Sequence, residues 1–196
     1  MRFPRTLAAA AAALTLTLAG CSASESSTDG NAYNDADVDF ASDMIQHHAQ
    51  ALQMVDLTLG RKLDAEVVTL TEEIRTAQAP EIEKMADWLE GWDQPVPETS
   101  RDHANAHAQE HGESVEMDTD MPGMLSAKEL ESLESASGPE FQTMWLEMMI
   151  EHHEGAVEMA EAQVEEGSNA KAVALAEEII STQEREISTM QDLLGG

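Results

Sequence analysis

Apolar residues recur at helical spacing along most of the chain. Hydrophobic positions three or four residues apart mark one face of each segment, and polar residues fill the positions between them. The pattern predicts five helices, at about residues 38–59, 64–91, 126–135, 138–166 and 169–194. Gly60 and Gly167 fall at the breaks between the paired long segments, where glycine typically ends a helix. The chain is therefore expected to be all-α.

The two halves of the chain form a gapless internal repeat. Residues 40–89 match residues 145–194 at a constant offset of 105, and identical residues occur on both helices of each half. A single helix hairpin cannot bury its apolar stripe alone, so two homologous hairpins should pack together. We expect a four-helix bundle in residues 37–194, with hairpins 37–91 and 138–194 joined by a linker at 92–137. The matched pairs include Met44/Met149, His47/His152, His48/His153, Gln78/Gln183 and Glu81/Glu186.

The N-terminus has the features of a bacterial secretion signal. Arg2 and Arg5 precede an apolar run that is too short to span a bilayer, which predicts a signal peptide over residues 1–20. Cys21 follows Leu-Ala-Gly as in a lipobox, so its thiol is the candidate site of lipidation. Cleavage at another small residue, which would leave Cys21 unmodified, is the alternative. Residues 21–36 are polar and are expected to form a disordered tether that holds the protein outside the cytoplasm, anchored to the cell membrane.

Charge and cysteine content narrow the classes of function. The chain has 10 basic and 39 acidic residues, which gives a formal net charge of -29. No continuous basic face is available to neutralise phosphates, so nucleic-acid binding is not expected. Most of the carboxylates should form a solvated surface with no specific role. Because Cys21 is the only cysteine, a bound metal would have to be held by His, Met, Asp or Glu.

Histidine and methionine share one face of the first helix in each hairpin. At about 100° per residue, the His and Met positions of each half fall within roughly a third of the helix circumference. The candidate metal ligands are Met44, His47, His48, Met54, Met148, Met149, His152, His153 and Met159. Thioether sulfur is a soft ligand and imidazole a borderline one, a combination that favours a copper ion, mainly Cu(I), over Mg, Ca or Zn. The alternative is that these side chains only fill the core.

Two further groups of residues are candidates for supporting roles. Gln78 and Gln183 should lie beside the ligands on the partner helices, where an amide could orient an imidazole or bond to the neighbouring helix. The linker carries a second set of candidate metal ligands, which are His103, His107, His111, Met117, Met121 and Met124. If this part of the linker is helical, its three histidines line one face. A polar linker that serves solubility alone is the alternative.

Three motifs resemble a known family. They are MPGM at 121–124, FQTMW at 141–145 and, above all, MMIEHHEG at 148–155 followed by Met159. These motifs are similar to those of a secreted bacterial family, the domain of unknown function 305, and the resemblance extends over about residues 37–194. It implies a ferritin-like four-helix bundle. It also implies copper binding outside the cytoplasm, through Met and His residues, in at least some members.

The sequence thus favours an extracytoplasmic, lipid-anchored protein that binds copper for storage or resistance. We expect it to exchange the metal with another metal-handling protein and not to act as an enzyme. A bundle with a purely structural or protein-interaction role is the first alternative. A di-iron redox site would need a Glu three residues before the site histidines, but Met44 and Met149 occupy those places. A b-type haem held between His and Met is a further alternative, although the chain has no attachment motif.

Overall fold

The computed structural model describes residues 32–99 and 121–195. Within these residues the helices are α1 (Asp35–Asp56), α2 (Ala65–Gly91), α3 (Ala127–Ser135), α4 (Gly138–Glu166) and α5 (Ala170–Gly195). The predicted all-α architecture is confirmed. None of these helices is long and apolar enough to cross a bilayer. Several predictions concern residues outside the described ranges, namely the signal peptide, Cys21, His103, His107, His111 and Met117.

The four long helices pack as two hairpins, as the repeat predicts. α1 pairs with α2 and α4 pairs with α5, while α1 and α4 form the interface between the hairpins. Near the start of α1, the Asn34 amide donates to the carbonyl of Glu166 at 2.8 Å. Near the end of α1, the Trp145 indole donates to the carbonyl of Met54 at 2.9 Å. α1 and α4 are therefore antiparallel. The outer helices α2 and α5 line a groove of about 870 Å³.

The apolar core has two clusters that follow each other along the bundle. One surrounds Trp145 and Met149 and includes Met54. The other surrounds Met44 and Ala156 near the opposite end. Full burial of a large apolar side chain stabilises a fold by about 1.5–3 kcal/mol, so both clusters contribute strongly. The double-histidine segments of α1 and α4 lie between these clusters, enclosed by apolar packing on both sides.

α1 begins earlier than the sequence analysis predicts. Asn34 and Asp37 cap its N-terminus with reciprocal side-chain bonds of 3.0 and 2.9 Å to each other's backbone amides. Tyr33 stacks on Trp92 with ring centroids 4.7 Å apart and donates to the Trp92 carbonyl at 3.0 Å. The predicted tether, residues 21–36, is therefore too long at its C-terminal end. Its last residues belong to the bundle because capping and aromatic stacking, neither of which needs an apolar stripe, fix them there.

Candidate metal centre

The two hairpins bring a pair of histidines together in the middle of the α1–α4 interface. His47 of α1 and His152 of α4, which are repeat mates, have ring centroids 3.8 Å apart and ring planes tilted by 44°. The ring centroids of His152 and His153 are 6.4 Å apart. All four histidines of the two segments are at most 1% exposed. The histidine-bearing faces of α1 and α4 therefore meet at this interface.

Two of the imidazoles are held by carboxylates from the outer helices. The Nε2 atom of His48 lies 2.8 Å from Oε2 of Glu81 on α2. The Nε2 atom of His153 lies 2.8 Å from Oε2 of Glu186 on α5. The two pairs are repeat mates, so each hairpin makes the same contact in its own half. The carboxylates are mostly enclosed, with side-chain exposures of 12% for Glu81 and 9% for Glu186.

A short loop holds the third imidazole and breaks this symmetry. His47 donates from Nε2 to the carbonyl of Pro122 at 2.9 Å. The loop reaches this position because Gly155 of α4 has no side chain, and a Cβ atom there would overlap the carbonyl group of Pro122. Gly123, which adopts a positive φ of 73°, also packs closely on α4, where a Cβ atom would lie 2.6 Å from the Glu151 carbonyl oxygen. On the α1 side, the buried Gln50 amide donates to the Leu125 carbonyl at 2.9 Å and accepts from its amide at 2.8 Å.

The remaining imidazole nitrogens have no hydrogen-bond partner among the described residues. These buried atoms are Nδ1 of His47, His48 and His153 and both ring nitrogens of His152. A buried polar group left unpaired costs about 1–3 kcal/mol, and native proteins contain few of them. Five in one layer of a core would cost an amount comparable with the whole stability of a typical domain, about 5–15 kcal/mol. Such a concentration of unpaired donors and acceptors is typical of a ligand site.

Burial also keeps the central pair of imidazoles neutral. It lowers the pKa of His47 from 6.5 to about 3; the nearby His48 adds to this effect, and the Pro122 hydrogen bond opposes it. The pKa of His152 falls well below 6.5, chiefly because of burial and then because of charge repulsion from His47. The His47 backbone raises the pKa of His152 slightly. It does not form a hydrogen bond of normal geometry with the His152 ring. Both rings therefore carry a free lone pair at neutral pH.

The methionines predicted as ligands surround this layer. The fully buried ones are Met44, Met54 and Met149, and the half-buried ones are Met121, Met124, Met148 and Met159. Met44 lies three residues before His47, and Met149 lies three residues before His152, so each shares a helix face with a central histidine. Their thioethers belong to the two apolar clusters that enclose the histidines. Soft sulfur donors thus lie one helical turn from the central pair on both sides.

A comparison with protein families finds a match over most of the chain. The model of the family described as Domain of unknown function (DUF305) matches residues 37–194. The chain belongs to the DUF305 family. No sequence among the curated proteins matches it.

Solved structures agree with this membership of the DUF305 family. A putative secreted DUF305 protein from Streptomyces coelicolor is 33% identical, with a TM-score of 0.68 over 82% of this chain and 92% of that one. A DUF305 fragment from Deinococcus radiodurans is 31% identical, with a TM-score of 0.68 over 83% and 97% of the two chains. CopM in its Cu(I)-bound form is 26% identical, with a TM-score of 0.61 over 80% of this chain and 94% of CopM.

The supporting residues of this DUF305 protein differ from those that the sequence suggested. Gln78 and Gln183 are buried, as expected, but the oxygen of each amide lacks a partner in the described part of the chain. The oxygens that do bond to imidazoles come from Glu81, Glu186 and the backbone of Pro122. The expectation that the acidic residues have no specific role was therefore wrong for these two. Identity at the same offset as the histidines was the signal that pointed to them.

The described residues contain no ready-made metal site built from His, Cys, Asp or Glu alone. No group of three or more His, Cys, Asp or Glu side chains converges in residues 32–99 and 121–195. Glu147, Glu151 and Glu154, the acids of α4 around the double histidine, are exposed. Each of the two inner acids bonds to one imidazole. The donors available to a metal in this layer are imidazole nitrogen and thioether sulfur.

Proposed function

We propose that this DUF305 protein binds a copper ion at the α1–α4 interface, outside the cytoplasm. The carrying observation is the layer of four buried imidazoles, in which His47 and His152 are in contact and five ring nitrogens have no hydrogen-bond partner among the described residues. A bound ion would accept lone pairs from these imidazoles and so offset part of the cost of burying them. Neutral imidazole and thioether together suit Cu(I), and to a lesser degree Cu(II) or Ag(I).

The solved relatives support this proposal. CopM has been crystallised in Cu(I)-bound, Cu(II)-bound and Ag-bound forms, the first two at 26% and 25% identity to this chain. The Streptomyces coelicolor relative is described as a secreted protein. Methionine is a suitable soft ligand outside the cytoplasm, where a cysteine thiolate would be exposed to disulfide formation.

The proposal assigns roles to individual residues. His47 and His152 provide the first donors, and the thioethers of Met44 and Met149 lie within one turn of them. Copper storage or resistance follows as the biological role, with the protein held to the membrane through lipidated Cys21 and exchanging copper with another extracytoplasmic protein. In this proposal the protein acts as a binding protein and not as an enzyme.

The decisive experiment is anaerobic titration of the purified protein with Cu(I) against a chromophoric chelator. Wild type should retain copper against the chelator. The variant with His47→Gln and His152→Gln should lose tight uptake while circular dichroism shows an unchanged helix content, because apolar packing carries most of the helical stability. A variant with His103, His107 and His111 replaced by Gln is the matched control, and it should lower only the number of ions bound. Tight binding that depends on this linker set alone would overturn the proposal.

A further inference from the structure

The partners of the imidazoles fix which nitrogen each ring presents. A carboxylate or carbonyl oxygen accepts a hydrogen bond and cannot donate one. The Nε2 atoms of His48 and His153 face Glu81 and Glu186 at 2.8 Å, so both Nε2 atoms carry the proton. In a neutral imidazole, the other nitrogen then holds the lone pair. For both rings this nitrogen is Nδ1, which is buried and unpartnered.

His47 follows the same rule with a different acceptor. Its Nε2 donates to the Pro122 carbonyl at 2.9 Å, and its Nδ1 is also buried without a partner. His152 is the exception, because neither of its nitrogens has a hydrogen-bond partner in the described part of the chain. Three different elements, α2, α5 and the loop before α3, therefore impose one tautomer on three neighbouring rings.

We infer that Glu81, Glu186 and the Pro122 carbonyl are positioning groups that hold His48, His153 and His47 as Nε2–H tautomers, so that Nδ1 is the nitrogen that each ring offers to a soft metal ion. This inference rests on the proposed function and names the ligand atoms. An oxygen on the far side of a metal-binding imidazole typically fixes the ring orientation and raises its basicity. Here the repeat supplies two such oxygens and the loop supplies the third.

The enclosure of the two acids fits this role better than a role in surface charge. Glu186 also lines the groove between α2 and α5, yet its Oε2 points inward to His153. Glu72 and Glu177 are repeat mates on the same two helices, but they are exposed. They carry the same charge without an imidazole partner among the described hydrogen bonds. This pair therefore provides a control that changes charge and leaves the imidazoles untouched.

The first test is the tautomer state of the metal-free, full-length protein labelled with ¹⁵N-histidine. Long-range ¹H–¹⁵N correlation spectra at neutral pH should show Nε2–H tautomers for His47, His48 and His153. On addition of Cu(I) or Ag(I), the Nδ1 resonances should shift while the Nε2 protons remain. Nδ1–H tautomers in the metal-free protein, or metal-induced loss of the Nε2 protons, would overturn the inference.

The second test compares two double variants of equal charge. Glu81→Gln with Glu186→Gln replaces each carboxylate by an amide that can also donate, so the tautomers of His48 and His153 should mix and Cu(I) affinity should fall by about 10–100-fold. Glu72→Gln with Glu177→Gln should change neither quantity. Equal affinity of the first variant and wild type would overturn the inference. If wild type takes up no metal, the proposed function fails, and the ligand role fails with it even if the metal-free spectra show the expected tautomers.

Discussion

The close approach of the Pro122–Gly123 backbone to Gly155 makes a sharp prediction for Gly155→Ala. In most helix interiors this change would stabilise the fold, because alanine exceeds glycine in helix propensity by about 1 kcal/mol. Here the new methyl group would overlap the Pro122 carbonyl and lie 2.6 Å from the Gly123 amide nitrogen. All these atoms are backbone, so no side-chain rotation can relieve the contact. The loop must move away from α4.

The cost follows from what the loop holds. Moving the Pro122 carbonyl removes the 2.9 Å bond from His47 and leaves a buried donor unpaired, which costs about 1–3 kcal/mol. Inserting a methyl group into tightly packed structure adds about 1–3 kcal/mol. The gain in helix propensity offsets part of this. We expect Gly155→Ala to lower the free energy of unfolding by about 1–5 kcal/mol and to release the tautomer of His47.

Urea unfolding followed by circular dichroism measures the first effect, and histidine ¹⁵N spectra measure the second. Gly91→Ala is the matched control, because nothing lies within 4 Å of a Cβ atom at the last residue of α2. That variant should be neutral or slightly more stable. A Gly155→Ala protein as stable as wild type, with His47 still an Nε2–H tautomer, would refute the reasoning on the loop.

Three other predictions follow from the same geometry. His152→Leu should raise the free energy of unfolding of the metal-free protein by about 1–3 kcal/mol, because it removes two buried nitrogens that have no partner among the described residues. His47→Leu should lower the free energy of unfolding, because it leaves the Pro122 carbonyl without its donor. Destabilisation by His152→Leu would contradict this prediction. The free energy of unfolding should fall as the pH drops from 6.5 towards 3, because His47 and His152 bind protons in the unfolded state but not in the folded state. The fall should reach up to about 1.4 kcal/mol per pH unit for each ring. Urea midpoints of the His47→Gln/His152→Gln variant should depend less on pH over this range, and parallel curves for the two proteins would contradict the assignment. Cys21→Ala should move the protein from the membrane fraction to the soluble fraction, and unchanged membrane retention would exclude the lipobox interpretation.

The internal repeat explains why so much of the fold could be predicted. An offset of 105 preserved through two helices fixes the hairpin as the repeated unit, and apolar stripes on both hairpins require them to pack face to face. His47 and His152 occupy the same place in each unit. Their contact follows once the hairpins meet through their first helices, which is what the structure shows at 3.8 Å.

The positioning oxygens could not be found as readily. Glu81 and Glu186 are two of 39 acidic residues. Composition does not show which of these carboxylates point into the bundle. The Pro122 carbonyl is a backbone atom and leaves no mark in a pattern of side chains. The sequence does contain a signal for Gly155, which lies inside a helix and is matched by Gln50 in the other half. Glycine inside a helix costs about 1 kcal/mol, so its presence there indicates that another segment approaches closely.

Positions 50 and 155 show how a duplicated bundle acquires an asymmetric centre. Each hairpin can supply its own His–Glu pair, but the single connection between the hairpins can pack at the centre only once. Gln50 bonds to Leu125 on the α1 side, while Gly155 lets the same loop touch α4. The loop therefore gives His47 an acceptor, whereas neither nitrogen of His152 has a partner among residues 32–99 and 121–195. Two rings that are equivalent by sequence thus differ: His47 is held in one tautomer, while His152 could adapt its tautomer to the copper ion that we propose binds there.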